Sequence, residues 1–340
     1  MPHLDTKTER QYWAAHRHAI LVDRSDTGRV SMVGRDCLDL LHRLSTQDLL
    51  KLQPDEGART VLTSDKGRII DVLTVYRFPD RLLLVTSPER QAETLAWLDR
   101  YTFSEDATAT DVTPSTGLLA LLGPKAGAVA EKALGKVLAK REFAHIQGEI
   151  DGVLVTVARG REPLDGLYIV VHDRSGVPTV SAGLRAAGEE FSLERIGPAA
   201  YDVLRIEAGL GIYGREFGEQ YNPLEAQLRD CISFHKGCYI GQEVIARLDS
   251  YQKVQKLLMG VLLPTGEAPP TGTRLMADGK DAGAITSASV SPLLGRSIGL
   301  AYVANKFAQP GMSLYYHSLD GLAAASVVDV PFTVARAALE

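Results

Sequence analysis

Apolar positions recur along this chain with two periods, and their order predicts its elements. Residues 21–23 and 29–33 read as short strands around the turn residues 25–28. Across 35–50, Cys37, Leu40, Leu41 and Leu44 fall at helical spacing, which predicts a helix with Cys37 on its buried stripe. Residues 58–63 and 69–77 predict paired strands joined by Ser64-Asp65-Lys66-Gly67, with Asp at the bend and Gly where positive φ is needed. A third strand follows at 81–86. A helix is expected over 88–101, with Ser87 as N-cap and proline in its first turn.

A second alternation of strand and helix begins at Gly117. Residues 118–122, 152–157 and 167–171 predict strands, while 124–138 and 179–187 predict helices. This mixed order indicates an α+β protein rather than a doubly wound parallel sheet. Residues 201–206 alternate with period two, so a strand is expected there, with Glu207 at its end. Beyond Ser250 the runs 256–263, 274–276, 282–287, 297–303, 314–316 and 327–330 are short, β-like and separated by Gly and Pro. They predict a small antiparallel barrel. A module boundary near Ser250 divides the chain into 1–250 and 251–340.

Composition narrows the class. A chain of 340 residues exceeds what one hydrophobic core usually supports, and its 45% hydrophobic and 23% charged shares are those of a soluble globular protein. The net charge of -5 argues against nucleic acid as the main partner. Cys37, Cys231 and Cys238 form no disulfide framework, which points to a reducing cytoplasm. Their spacing matches no iron–sulfur ligand pattern, no HExxH motif occurs, and no resident metal is expected. Residues 1–20 lack the apolar core of a signal peptide, and no run approaches the roughly 20 apolar residues of a spanning helix. No membrane association is expected. Gly209, Gly211 and Gly214 are spaced wrongly for a dinucleotide fingerprint.

The densest chemistry lies in Lys236-Gly237-Cys238-Tyr239-Ile240-Gly241-Gln242-Glu243. A helix N-terminus and a lysine both favour a thiolate, so Cys238 is a candidate reactive thiol. The alternative is that the two glycines shape a turn and Cys238 is a small buried hydrophobe. Cys231, seven residues upstream, is a candidate resolving partner. No histidine–aspartate relay is visible nearby, so hydrolase-type catalysis has little support.

The octapeptide resembles the signature of the YgfZ-type folate-binding proteins, relatives of the aminomethyltransferase of the glycine cleavage system (the T-protein), which are implicated in iron–sulfur protein maturation. Four further segments resemble the superfamily: 21–25 with 30–34; 67–71; 202–209 through Gly214; and 283–287 with Ser291-Pro292 and 298–301. The resemblance implies a ring of two interwoven N-terminal α/β subdomains plus a C-terminal barrel, with tetrahydrofolate in a central channel. It implies a folate contact for Glu207, whose carboxylate would accept two parallel bonds from a pterin N–H edge. Read without it, Glu207 is a surface residue paired with Arg205 or Arg215. Asp71 matches the first of two adjacent aspartates in the T-protein, where an aspartate of this region positions or activates the folate amine. Val72 stands at the second, which weakens the case for aminomethyl transfer. Lys236 falls near a basic folate-contacting position, where it would attract the folate tail or lower the pKa of Cys238.

The implied function is therefore a cytoplasmic tetrahydrofolate-binding protein that supports iron–sulfur protein assembly or repair. Glu207, Lys236 and Asp71 would bind folate, Cys238 and Asp71 would supply chemistry, and iron–sulfur client or assembly proteins would be partners. One alternative is a folate-dependent aminomethyl- or methyltransferase. Another is a non-catalytic adaptor without folate.

Overall fold

The computed structural model describes residues 4–266, 268–318 and 321–332. The chain divides into two compact units. One comprises 14–196 and 229–244; the other comprises 1–13, 197–228 and 245–340.

The first unit contains two sheets. A five-stranded antiparallel sheet runs in the order Glu56–Thr63, Ile69–Arg77, Leu82–Pro88, Thr27–Val33, Thr108–Asp111. Helices Cys37–Leu44 and Gln91–Arg100 cover it through Leu40, Leu41, Leu44 and Leu98, packed with Val30, Leu73 and Leu84. The six-stranded sheet runs Glu194–Arg195, Ile20–Asp23, Gly117–Leu122, Gly166–Val171, Val153–Arg159, His145–Ile150. Helices Ala126–Leu134 and Val177–Gly188 close one of its faces. Tyr76, Phe78, Leu83 and Val85 of the first sheet region pack with Leu118, Ala158 and Val170 of the second. A strand buried on both faces reads as a nearly continuous apolar run, as Gly117–Leu122 does.

The second unit is built on a closed barrel of six antiparallel strands: Lys256–Leu262, Arg296–Ala304, Lys280–Ser291, Arg274–Ala277, Ser313–Ser318 and Gly321–Val328. Closure removes exposed strand edges. Its interior is filled by Val261, Leu275, Ile285, Val303, Leu314 and Val327. Strand pairing is tightest at Gly283, where a Cβ would lie 2.0 Å from the Tyr302 carbonyl oxygen and φ is +145°. Only glycine fits there. Helix Pro198–Glu207 lays Ile206 against Leu258, Leu262, Ile298 and Leu300 of the barrel.

The mixed α/β class and the C-terminal barrel agree with the sequence pattern, and several local expectations are corrected. Residues 201–206 are helical. Pro198 begins the helix after the extended Gly197, and Ala200, Val203, Leu204 and Glu207 are buried at three- and four-residue spacing. The helix expected over 35–50 ends at Leu44, because Ser45 turns extended; a short 3-10 turn follows at Leu49–Lys51. The helix expected from 88 starts at Gln91, since Pro88 still pairs with Thr27 in the sheet. Ser87 is consequently not its N-cap. The helix expected over 124–138 stops at Leu134, closed by Gly135 in the left-handed region. Thr6–Arg17, for which the sequence pattern predicts no element, is a helix.

Candidate functional site

Glu207 ends helix Pro198–Glu207 and is only 4% exposed. A carboxylate that deep requires donors. The Tyr12 hydroxyl lies 2.9 Å from Oε1 and 2.8 Å from Oε2, and the Ser291 hydroxyl donates to Oε1. Tyr12 comes from helix Thr6–Arg17 and Ser291 from the end of strand Lys280–Ser291. Burial, and next the Glu207 charge, raise the Tyr12 pKa above its ordinary value, which keeps the phenol protonated as a donor. The expected surface pairing of Glu207 with Arg205 or Arg215 is replaced by this arrangement. Arg205 is fully buried and bonds Asp202 at 2.7 Å, Glu216 at 3.2 Å and Ser287 at 2.6 Å. Arg215 lies 3.8 Å from Asp202.

Asp71, Lys236 and Cys238 belong to the other compact unit. Asp71 sits inside strand Ile69–Arg77 and is 1% exposed. Its carboxylate accepts from the backbone N–H groups of Val72 (2.8 Å) and Ser87 (3.2 Å) and from the Thr94 hydroxyl (3.4 Å). It thereby ties the strand to the segment that opens helix Gln91–Arg100. Burial lifts its pKa to about 6, against the lowering effect of the Ser87 and Val72 bonds. With the folded value above the unfolded one, this stabilising contribution is complete below pH ~4 and disappears as pH rises through about 6. The change is about 3 kcal/mol. Urea midpoints from pH 4 to 7 should therefore slope less for Asp71→Asn than for the wild type; identical slopes would refute the assignment.

Lys236 is buried at 8% exposure, and its ammonium donates to the carbonyls of His42, Ser45 (2.7 Å) and Gln47 (2.9 Å). These carbonyls lie at and just beyond the C-terminus of helix Cys37–Leu44, where a cation satisfies unpaired acceptors and the negative end of the dipole. Burial lowers the Lys236 pKa to about 8, with Asp48 opposing. All three of its donors are engaged in holding the fold.

The octapeptide is thus pinned at several points. Thr63 donates to the Ile240 carbonyl at 2.6 Å, and the Ile240 N–H reaches Arg43 O at 3.0 Å. Gly241 has φ +83°, and a Cβ there would lie 2.4 Å from Ser64 O. Between these anchors Cys238 is exposed, and nothing lies within 4 Å of a Cβ built on Gly237. Cys238 is therefore not a buried hydrophobe. Cys231 is buried, and burial pushes its thiol up to about 12, which makes it a poor resolving thiolate. Cys37 packs in the core, as its stripe predicts.

Sequence reading missed Tyr12 and Ser291 as partners of Glu207. Ser291 carried a signal, the Ser291-Pro292 pair, but it was assigned only to the barrel. Tyr12 carried none, lying 195 residues from Glu207 in a polar segment.

Among the described residues no group of three or more His, Cys, Asp or Glu is gathered to hold a metal ion, and no helix is long and apolar enough to cross a membrane. Residues 2–236 match the GCVT N-terminal domain family, and residues 256–333 match the glycine cleavage T-protein C-terminal barrel domain. The chain is 30% identical over 305 residues to an aminomethyltransferase of Caldanaerobacter subterraneus, covering 88% of this chain and 81% of that protein. It is 31% identical over 294 residues to a putative chloroplastic transferase of Arabidopsis thaliana, covering 86% of this chain and 67% of that one. The crystal structure of the glycine cleavage system aminomethyltransferase T from Bartonella henselae shares the fold, with a TM-score of 0.86 over 96% of this chain and 89% of that chain, at 23% identity. With both domain families matched in order along the chain, the protein belongs to the glycine cleavage T-protein (aminomethyltransferase) superfamily.

Proposed function

We propose that the protein binds a reduced folate through Glu207 and acts as a folate-dependent aminomethyltransferase. The observation that carries this reading is the Glu207 carboxylate, buried at 4% exposure and held by two hydroxyls. A pterin presents an N–H edge, and a desolvated carboxylate is a strong, geometrically selective acceptor for it. Relatives along most of the chain are named aminomethyltransferases. The resemblance implies a folate-amine role for Asp71, but its 1% exposure and its bonds from Val72 and Ser87 assign it in this reading to holding strand Ile69–Arg77. Lys236 contributes by fixing the loop of Cys238.

Anaerobic calorimetric titration with tetrahydrofolate tests the proposal. Glu207→Ala should weaken binding by about 1.5–3 kcal/mol, the scale of a lost charged hydrogen bond. A folded wild type that binds no tetrahydrofolate would overturn it and favour an adaptor role.

A second reading is the YgfZ-type one, a folate-binding protein that supports iron–sulfur client or assembly proteins. Two observations favour it: Val72 where the T-protein resemblance places a second aspartate, and the exposed Cys238 within its anchored loop. Formation of methylene-tetrahydrofolate from an aminomethyl-loaded lipoyl carrier separates the two, since only the aminomethyltransferase produces it.

A further inference from the structure

Glu207 is surrounded by a construction that a single folate contact does not explain. The turn after strand Lys280–Ser291 wraps the Tyr12–Glu207 pair. Ser291 is fully buried, and its Oγ accepts the Leu294 N–H at 3.1 Å. With that lone pair occupied, the Ser291 proton is directed at Glu207 Oε1. The Tyr12 oxygen lies beside the Leu293 N–H and the Ser291 hydroxyl, while its own proton is shared between both Glu207 oxygens. Tyr12, at 0% exposure, has its ring edge-on to Trp13 at 5.2 Å. Three chain segments, at residues 12, 207 and 291–294, thus converge on one carboxylate within a single compact unit.

We propose that Tyr12 and Ser291 are positioning residues that set the rotamer of the Glu207 carboxylate before the ligand arrives, so that the barrel turn Ser291–Leu294 helps determine folate affinity. The inference rests on the folate reading of Glu207. Its physical basis is preorganisation. A carboxylate already desolvated and oriented by fixed donors loses little freedom when a flat N–H edge docks. Hydroxyls suit this task because each donates one proton and adds no charge. An arginine or lysine in their place would form an ion pair and compete with the ligand for the carboxylate.

The test is a double-mutant cycle read by anaerobic titration with tetrahydrofolate. Tyr12→Phe and Ser291→Ala should each weaken binding about 5- to 30-fold in the wild-type background and by less than about twofold when Glu207 is already Gln. A role confined to holding the fold would lower thermal stability but leave the two backgrounds equally affected. Ser291→Thr, which keeps the hydroxyl, should restore affinity, and it remains informative if Tyr12→Phe does not fold. Undiminished effects in the Glu207→Gln background overturn the positioning role. So does unchanged binding in both single variants while Glu207→Gln still binds weakly. Wild-type binding that Glu207→Gln leaves intact instead overturns the folate assignment of Glu207, and this inference with it.

Discussion

Replacing Arg29 by methionine is expected to destabilise the protein by about 3–5 kcal/mol, the upper end of what single substitutions do. Arg29 is 0% exposed, yet among the described residues no carboxylate bonds its guanidinium. Its Nε donates to the Thr116 hydroxyl at 2.7 Å, and its terminal nitrogens reach the carbonyls of Thr27, Ser25, Thr113 and Thr116. It stitches strand Thr27–Val33 to the segment that leads into strand Gly117–Leu122, joining the two sheets of its unit. Burial, and next the charge of Arg174, lower its pKa to about 10, which leaves it protonated near neutrality. Methionine fills part of the volume but removes the donors of the Thr27 and Thr116 carbonyls, which are buried with the side chain. Lysine should cost roughly half as much, because its three donors cannot reproduce the planar fork. Shifts in the urea midpoint measure both; a change below about 1 kcal/mol for methionine would show that water replaces the guanidinium.

Lys236→Met should cost about 2–4 kcal/mol and loosen the Cys238 loop as well. The loss falls on the three carbonyls of His42, Ser45 and Gln47, which terminate helix Cys37–Leu44. Helix ends buried without donors are unstable. The loop should respond too, because Lys236 fastens its entry while Thr63 and Gly241 hold its exit. Two readings check this: the thermal midpoint, and the rate at which iodoacetamide alkylates Cys238. An altered alkylation rate with a lowered midpoint is expected. Lys236→Arg should recover part of the stability, since a guanidinium also donates to several carbonyls but with different geometry. Unchanged stability in Lys236→Met would mean that the three carbonyls find other donors.

These two lysine and arginine roles mark where local reading ends. Residues 69–77 form a strand because their run of apolar and β-branched side chains fits a sheet buried on both faces. Their turn is equally legible, since Gly67 adopts φ +64° and its N–H closes on Ser64 O. The barrel is visible as short runs between Gly and Pro, and the octapeptide as a cluster of unusual residues. All of these signals are local: they depend on neighbours within about ten positions. Segment 201–206 shows the limit. Its six residues fit both periods, and the helix is selected by Pro198 at its start together with packing against the barrel. Tyr12 and Glu207 are 195 residues apart, and Lys236 and the carbonyls it caps are separated by 189 to 194. No periodicity encodes such pairs. Sequence by itself determined the class, the barrel and most element types, and through the family resemblance it nominated Glu207, Asp71, Lys236 and Cys238, while helices Thr6–Arg17 and Pro198–Glu207 escaped it. Tertiary structure alone decided which of them are buried and what holds them, because partners 189 to 195 residues apart meet only when packing brings their segments together.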